Sequence, residues 1–340
     1  MELSEFWFLL IGVLFVGFMF LEGFDFGVGM STRFLARNKE EREIMIKTIG
    51  PVWDANEVWL ITAGGAMFAA FPHWYASVFS GYYLPFVLLL LALIVRGVSF
   101  EFREKGESHA WHRTWDYALL IGSILPPFLV GVLFTSMLKG LPIDAEMNIN
   151  ASFFGDILNL YTIVGGLFFV ALSYLHGLFF IGLKTVDDIR ARALQQSKKM
   201  YVVTGILFIA FVLLTVMQTS ATEGKLGFLI MPMFIVGAVL YAALFITMNK
   251  HREGLSFLLT GLLFVIVVSS FFVGLFPNVL ISSTDVANNI SVYNAASGDY
   301  SLKIMTYVAL TMVPIVLAYT AWTYYIFRKR IKSSKEEVGY

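Results

Sequence analysis

Nine apolar runs of roughly 20 residues divide this chain, and each is about the length an α-helix needs to cross a bilayer. They cover 6–24, 51–71, 78–100, 117–138, 157–183, 200–217, 228–248, 255–275 and 304–327. Hydrocarbon offers no water to backbone N–H and C=O groups, so such runs must be helical. Only 14% of residues are charged, against about 25% in an ordinary soluble domain. The first run is expected to continue past Asp25 toward Met30. It follows Glu2 and Glu5, with no positive charge and no small-residue cleavage pattern, so it reads as a retained span and not a signal peptide. Pro126, Pro127 and Pro314 lie inside runs and predict kinks. The expected fold class is all-α, a polytopic membrane protein of nine spans. It forms one membrane domain over 1–340, with a polar tail at 328–340.

The basic residues orient these spans. Twenty of the 24 lysines and arginines fall in alternate loops and the tail. The intervening loops hold only Lys139, Lys225 and Lys303, and Arg96 lies inside a run. Cytoplasmic loops carry the excess of Lys and Arg, so the N-terminus is expected outside and the C-terminus in the cytoplasm. Formal net charge is zero, which gives no case for nucleic-acid binding. The chain has no cysteine, which excludes disulfides, thiolate-held metal, iron–sulfur clusters and covalent c-type haem.

Within the runs, polar residues are few and concentrated. The second run begins PVWDANEVW and ends in the small, apolar TAGGAMFAAF. A carboxylate near the centre of a span costs at least ~2.5 kcal/mol, so Asp54 and Glu57 should face a bundle interior, a partner or water. They are three residues apart and share a helix face. On the expected orientation Glu22 and Asp25 end the first span at the cytoplasmic side. Asp54 starts the second there, with Glu57 about one turn deeper. Arg96 and Glu101 end the third, so six ionisable residues of three consecutive spans occupy one leaflet. One reading is a proton or cation entry route, or a polar interface with a partner. The other is an ion-pair network in which Arg96 neutralises carboxylates and ties three helices. Glu101, close to the interface, fits the second. Gly23 and Gly27 form a GxxxG pattern that lets helices approach closely.

Of five histidines only His176 lies in a span, where a hydrogen-bonded core role is expected. One such histidine cannot build a bis-histidine haem or a multi-histidine copper centre. If the chain serves a redox reaction, the cofactors must sit on another polypeptide.

Several blocks together carry a resemblance: GFDFGVGMSTRFL, IGPVWDANEVWLITAGGAMFAAFP, LIVRGVSFEFR, Trp111 to Asp116, IGSILPP and MTYVALTMVPIVLAYTAW. In this order, from first span to last, the chain resembles subunit II of cytochrome bd quinol oxidases and their cyanide-insensitive relatives. The resemblance implies a bacterial cytoplasmic membrane enzyme that oxidises membrane quinol and reduces dioxygen to water. Haem b and haem d are carried by the partner, subunit I, against which subunit II packs as a pseudo-symmetric mate. Subunit II itself holds no haem, and in some members it holds a structural quinone. A small accessory subunit is a further candidate partner. Asp25 and Asp54 match family acids implicated in proton uptake, with Glu57 and Glu22 as further candidates on the route and Arg96 as supporting charge. Trp59 matches a tryptophan near a proposed dioxygen route. No catalytic, haem-binding or metal-binding residue is expected in this chain. Two alternatives stand beside this one: a purely structural assembly subunit, and an ion-coupled membrane transporter.

Overall fold

In the computed structural model the described residues are 2–331; 332–340, most of the expected polar tail at 328–340, lie outside them. α1 (Leu3–Phe34) is 32 residues long. That is roughly 48 Å, well beyond the ~30 Å hydrocarbon core, and the helix runs past Asp25 and Met30 without a break. α2 (Lys39–Ile49) lies in the first basic loop and is capped by Asn38, whose side chain accepts from the Glu41 N–H. α3 (Trp53–Ala70), α4 (Pro72–Gly81) and α5 (Tyr83–Phe102) follow. Next come α6 (His109–Lys139), α7 (Leu160–Lys184) and α8 (Asp187–Gln218). A 3-10 turn at Gly227–Leu229 leads into α9 (Ile230–Asn249), and α10 (Glu253–Leu275) completes this series. A small antiparallel hairpin, β1 (Asn278–Leu280) and β2 (Ile290–Ser291), then precedes α11 (Asp299–Ile326).

Among the described residues eight helices are long and apolar enough to cross a membrane: α1, α5, α6, α7, α8, α9 with its 3-10 lead, α10 and α11. Nine were expected. The helix that falls short is α3, only 18 residues long with Asp54, Asn56 and Glu57 in its first half. The third expected span, 78–100, is divided at Tyr82 between α4 and α5. Pro72 opens α4, a position where a missing N–H costs nothing. The segment before residue 200, expected as loop, is helical from Asp187. Pro126 and Pro127 sit within a continuous α6, and Pro314 within a continuous α11.

α1 is the central pillar and packs on α7, α3, α10 and α6. Its closest approach to α7 is glycine on glycine. A Cβ on Gly27 would lie 2.1 Å from the Ser173 carbonyl oxygen, and one on Gly177 would lie 2.5 Å from the Gly27 backbone. Of the GxxxG pair, Gly27 thus lets two backbones approach closely, while a Cβ on Gly23 would meet the Phe264 ring of α10 at 3.0 Å. α11 stands at the other extreme. It touches α1 and α3, yet Leu302 is its one buried residue.

Gly27→Val and Gly177→Val should each lower stability by about 1–3 kcal/mol through overpacking. Gly254→Ala should be neutral, because the nearest atom to its new Cβ is 3.8 Å away. Thermal unfolding of the purified protein checks this; an unchanged midpoint for Gly27→Val would contradict the close α1–α7 contact.

Candidate functional site

Arg96 is completely buried in α5, six residues before its end, or roughly 9 Å along the helix. Its Nη1 donates to Glu22 Oε1 of α1 and lies 3.6 Å from Glu57 Oε2 of α3. The guanidinium also lies over the rings of Phe26 and Phe100, at 4.8 and 5.5 Å from their centroids. One side chain thus joins three helices. α6 can close over it because residue 122 is glycine: a Cβ there would sit 2.6 Å from Arg96 Cβ.

Asp25 follows Glu22 by three residues, so both carboxyls project from one face of α1. Both are fully buried, and they interact with each other. The Asn56 side-chain amide donates to Asp25 Oδ2 at 2.6 Å and more weakly to the Leu21 carbonyl at 3.5 Å. The Tyr324 hydroxyl of α11 donates in turn to Asn56 Oδ1 at 2.8 Å. Among the described residues Glu22 Oε2, Asp25 Oδ1 and Glu57 Oε2 are buried without a hydrogen-bond partner. Each can still accept a proton or a donor.

Glu57 is only partly covered, its side chain 18% exposed. Asp54, one turn earlier, is exposed and forms no ion pair among the described residues, although its charge reaches Glu57. The carboxyls therefore grade from exposed Asp54 through Glu57 to buried Glu22 and Asp25. Glu101 is exposed at the end of α5 and stands outside the cluster. Trp59 is half-buried against Gly17, where a Cβ would come 2.3 Å from its ring. Asn56 and Tyr324 were absent from the expected site. Asn56 could have been found from its place between the two acids of the second run. Tyr324 carries no comparable signal.

An apolar groove of about 600 Å³ runs along α3 from Glu57 to Trp74, walled by Leu60, Phe68, Phe86 and Val130 among others. The Trp74 indole N–H is buried there and has no acceptor among the described residues. His176 is fully buried elsewhere. Its Nε2 donates to the Phe20 carbonyl at 3.1 Å, which leaves Nδ1 to accept from the Thr260 hydroxyl at 2.7 Å. Neither ring nitrogen is left for a metal.

Residues 3–327 match the family model of cytochrome bd terminal oxidase subunit II. The chain belongs to this family. It is 47% identical over 339 residues to cytochrome bd ubiquinol oxidase subunit 2 of Bacillus subtilis, covering 100% of this chain and 99% of that one. It is 34% identical over 363 residues to cytochrome bd-I ubiquinol oxidase subunit 2 of Escherichia coli strain K12, covering 98% and 95%. The fold is also that of a chain in the structure of bd oxidase from Geobacillus thermodenitrificans. The TM-score is 0.76 at 13% identity, over 96% of this chain and 99% of that chain. As a member of this family the chain is a subunit of a quinol oxidase, and Arg96, Glu22 and Asp25 are fully buried in it.

Replacing Arg96 by Gln leaves Glu22 and Glu57 without their cation. Loss of one partner of a buried pair costs about 3–5 kcal/mol. The variant should yield little folded subunit II, and adding Glu22→Gln should restore part of the loss. Recovery of detergent-extracted protein and its thermal midpoint measure both; a fully stable Arg96→Gln would contradict the tie.

Proposed function

We propose that this chain is the haem-free subunit II of a membrane quinol:dioxygen oxidoreductase. It supports a haem-bearing subunit I and supplies a proton uptake route from the cytoplasm through Asp54, Glu57, Glu22 and Asp25. The observation that carries the route is the gradation of carboxyls around one guanidinium. A single Arg96 charge balances one carboxylate, so three carboxyls beside it can exchange a proton among themselves at little electrostatic cost. Asp54, exposed one turn away, is the group such a proton meets first. Arg96 holds the local potential, and Asn56, with Tyr324 behind it, orients Asp25. The curated relatives are named ubiquinol oxidases, which supports quinol as the reductant.

The partner reading rests on the same face. An aspartate at a lipid-facing position is costly, yet Asp54 is exposed near the start of α3, and α11 is almost wholly unburied. Subunit I is the proposed cover, carrying haem b and haem d, and a small accessory subunit could share it. By contrast the outward residues of α8 and α9, such as Ile206, Ile209, Val236 and Val239, are apolar and suit lipid. The apolar groove lined by Glu57 and Trp74 is the proposed place for a structural quinone. Trp59 as a dioxygen-route residue rests on the resemblance alone. Family membership displaces the carrier alternative.

In this reading 1–340 is one membrane domain with a tail at 328–340, in a bacterial cytoplasmic membrane. α3 is the ninth span, its polar half covered by α1, α5 and subunit I. The N-terminus is outside. With no native cysteine, Glu107→Cys should be shielded from an impermeant external reagent and Val286→Cys should react; the reverse pattern would refute the orientation.

Asp54→Asn keeps shape and hydrogen bonding but cannot bind and release a proton. The complex should assemble with full haem content and turn over more slowly, with a loss that depends on pH. A purely structural cluster predicts instead impaired assembly and normal turnover of what survives. Haem content, quinol-dependent oxygen consumption and proton uptake on one preparation decide between them.

A further inference from the structure

At the end of the bundle that carries the basic loops, a second polar site lies outside the carboxyl cluster. It is a pocket of about 300 Å³ between the end of α1, the start of α2, the end of α5 and the start of α6. Five of its lining residues are cationic at neutral pH (Arg33, Lys39, Arg42, Arg103 and Arg113), and Asp116 is its single carboxylate. That carboxylate is already engaged. Arg103 Nε donates to Asp116 Oδ1 at 2.7 Å, and Arg42 Nη1 donates to Oδ2 at 3.0 Å. Arg42 Nε is also spent, on the Thr32 carbonyl at 3.1 Å. Lys39 reaches Glu43, outside the pocket, at 3.8 Å. Arg33 and Arg113 flank the ring of Tyr117, each 5.8 Å from its centroid, and neither has a carboxylate partner among the described residues.

The charge is therefore in excess, and part of it is buried. Arg103 is only 1% exposed, yet its Nη1 has no hydrogen-bond partner among the described residues. The Nδ1 of His112, which lines the same pocket, is likewise buried and unpartnered. A buried guanidinium donor without an acceptor is expensive, and natural sites satisfy it. Planar guanidinium donors converging from several helices match the oxygens of a phosphate.

We propose that this pocket binds an anionic phosphate group, held by Arg103, Arg33 and Arg113 while Asp116 keeps Arg103 and Arg42 in place. Two sources present that chemistry at a bundle end: the headgroup of an anionic phospholipid and free phosphate. The site sits where α1, α5 and α6 leave the apolar core, so an acyl chain could descend beside it. The proposal requires that the chain cross a membrane, and does not depend on which side this end faces.

The test uses the whole oxidase, stripped of lipid in a neutral detergent. Short-chain phosphatidylglycerol, phosphatidylcholine of the same chain length and inorganic phosphate are titrated separately, and bound molecules are counted by native mass spectrometry. Arg33→Gln with Arg113→Gln is the primary variant, because it leaves the Arg103–Asp116–Arg42 framework intact. Saturable binding of phosphatidylglycerol over phosphatidylcholine, weakened roughly tenfold or more in the double variant, assigns the phosphate to a lipid headgroup. Saturable inorganic phosphate binding with the same loss assigns it to free phosphate. Equal retention of the two lipids with no phosphate bound, or anion binding undiminished in the double variant, would overturn the proposal.

Discussion

The buried Arg96 guanidinium and its two glutamates are the interaction on which the site depends. A cation inside a spanning helix is tolerated only where opposite charge and polarisable surface surround it. Here Glu22 and Glu57 supply the charge, and the Phe26 and Phe100 rings supply the surface. Satisfying that cation holds α1, α3 and α5 in one register. Removal of the arginine leaves both glutamates without their cation, whereas removal of one glutamate leaves the other to pair with it. The small residues follow from the same requirement. Gly122 lets α6 close against Arg96, and Gly27 on Gly177 draws α7 onto the opposite side of α1.

That register brings Asp25 to Asn56, and through Asn56 to Tyr324 of the final helix. α11 packs on the core only through Leu302, Met305, Ala309 and Tyr324 among the described hydrophobic residues, so this polar contact helps to anchor it. A helix so exposed, in a subunit of an oxidase complex, suits cover by a second chain. The proposed support of subunit I and the proposed proton route would then share this end of the chain. The basic pocket adds a third element, because a bound phosphate would tie the end of α1, the end of α5 and the start of α6 together.

Much of this was legible in the sequence, for reasons of scale. Apolar runs are a one-dimensional property, and most of the long helices overlap them, although the run at 78–100 is divided at Tyr82 and α3 falls short of a span. The polar half of α3 stood out because hydrocarbon makes such residues rare, and Arg96 had to meet acids because nothing else near it could neutralise it. The amphipathic α2 and the first three turns of α8 were not legible, since hydropathy marks only what crosses. The Asn56–Tyr324 bond was also hidden. The two residues are 268 positions apart, and tyrosine near a span end ordinarily reads as an interfacial anchor. Asp116 was visible within a motif, but its role between Arg42 and Arg103 depends on where α2 returns, which no local pattern states.

The central claim is that the carboxyls around Arg96 exchange a proton during turnover. Infrared difference spectroscopy of the whole oxidase, reduced against oxidised, tests it directly by following the carbonyl stretch of protonated carboxylic acids. The account predicts a carboxylic acid band that shifts in heavy water, changes amplitude between the two states, and disappears in Asp25→Asn or Glu22→Gln. A spectrum in which neither substitution alters any band, in a complex that turns over normally, would contradict it and leave the cluster as a structural tie alone.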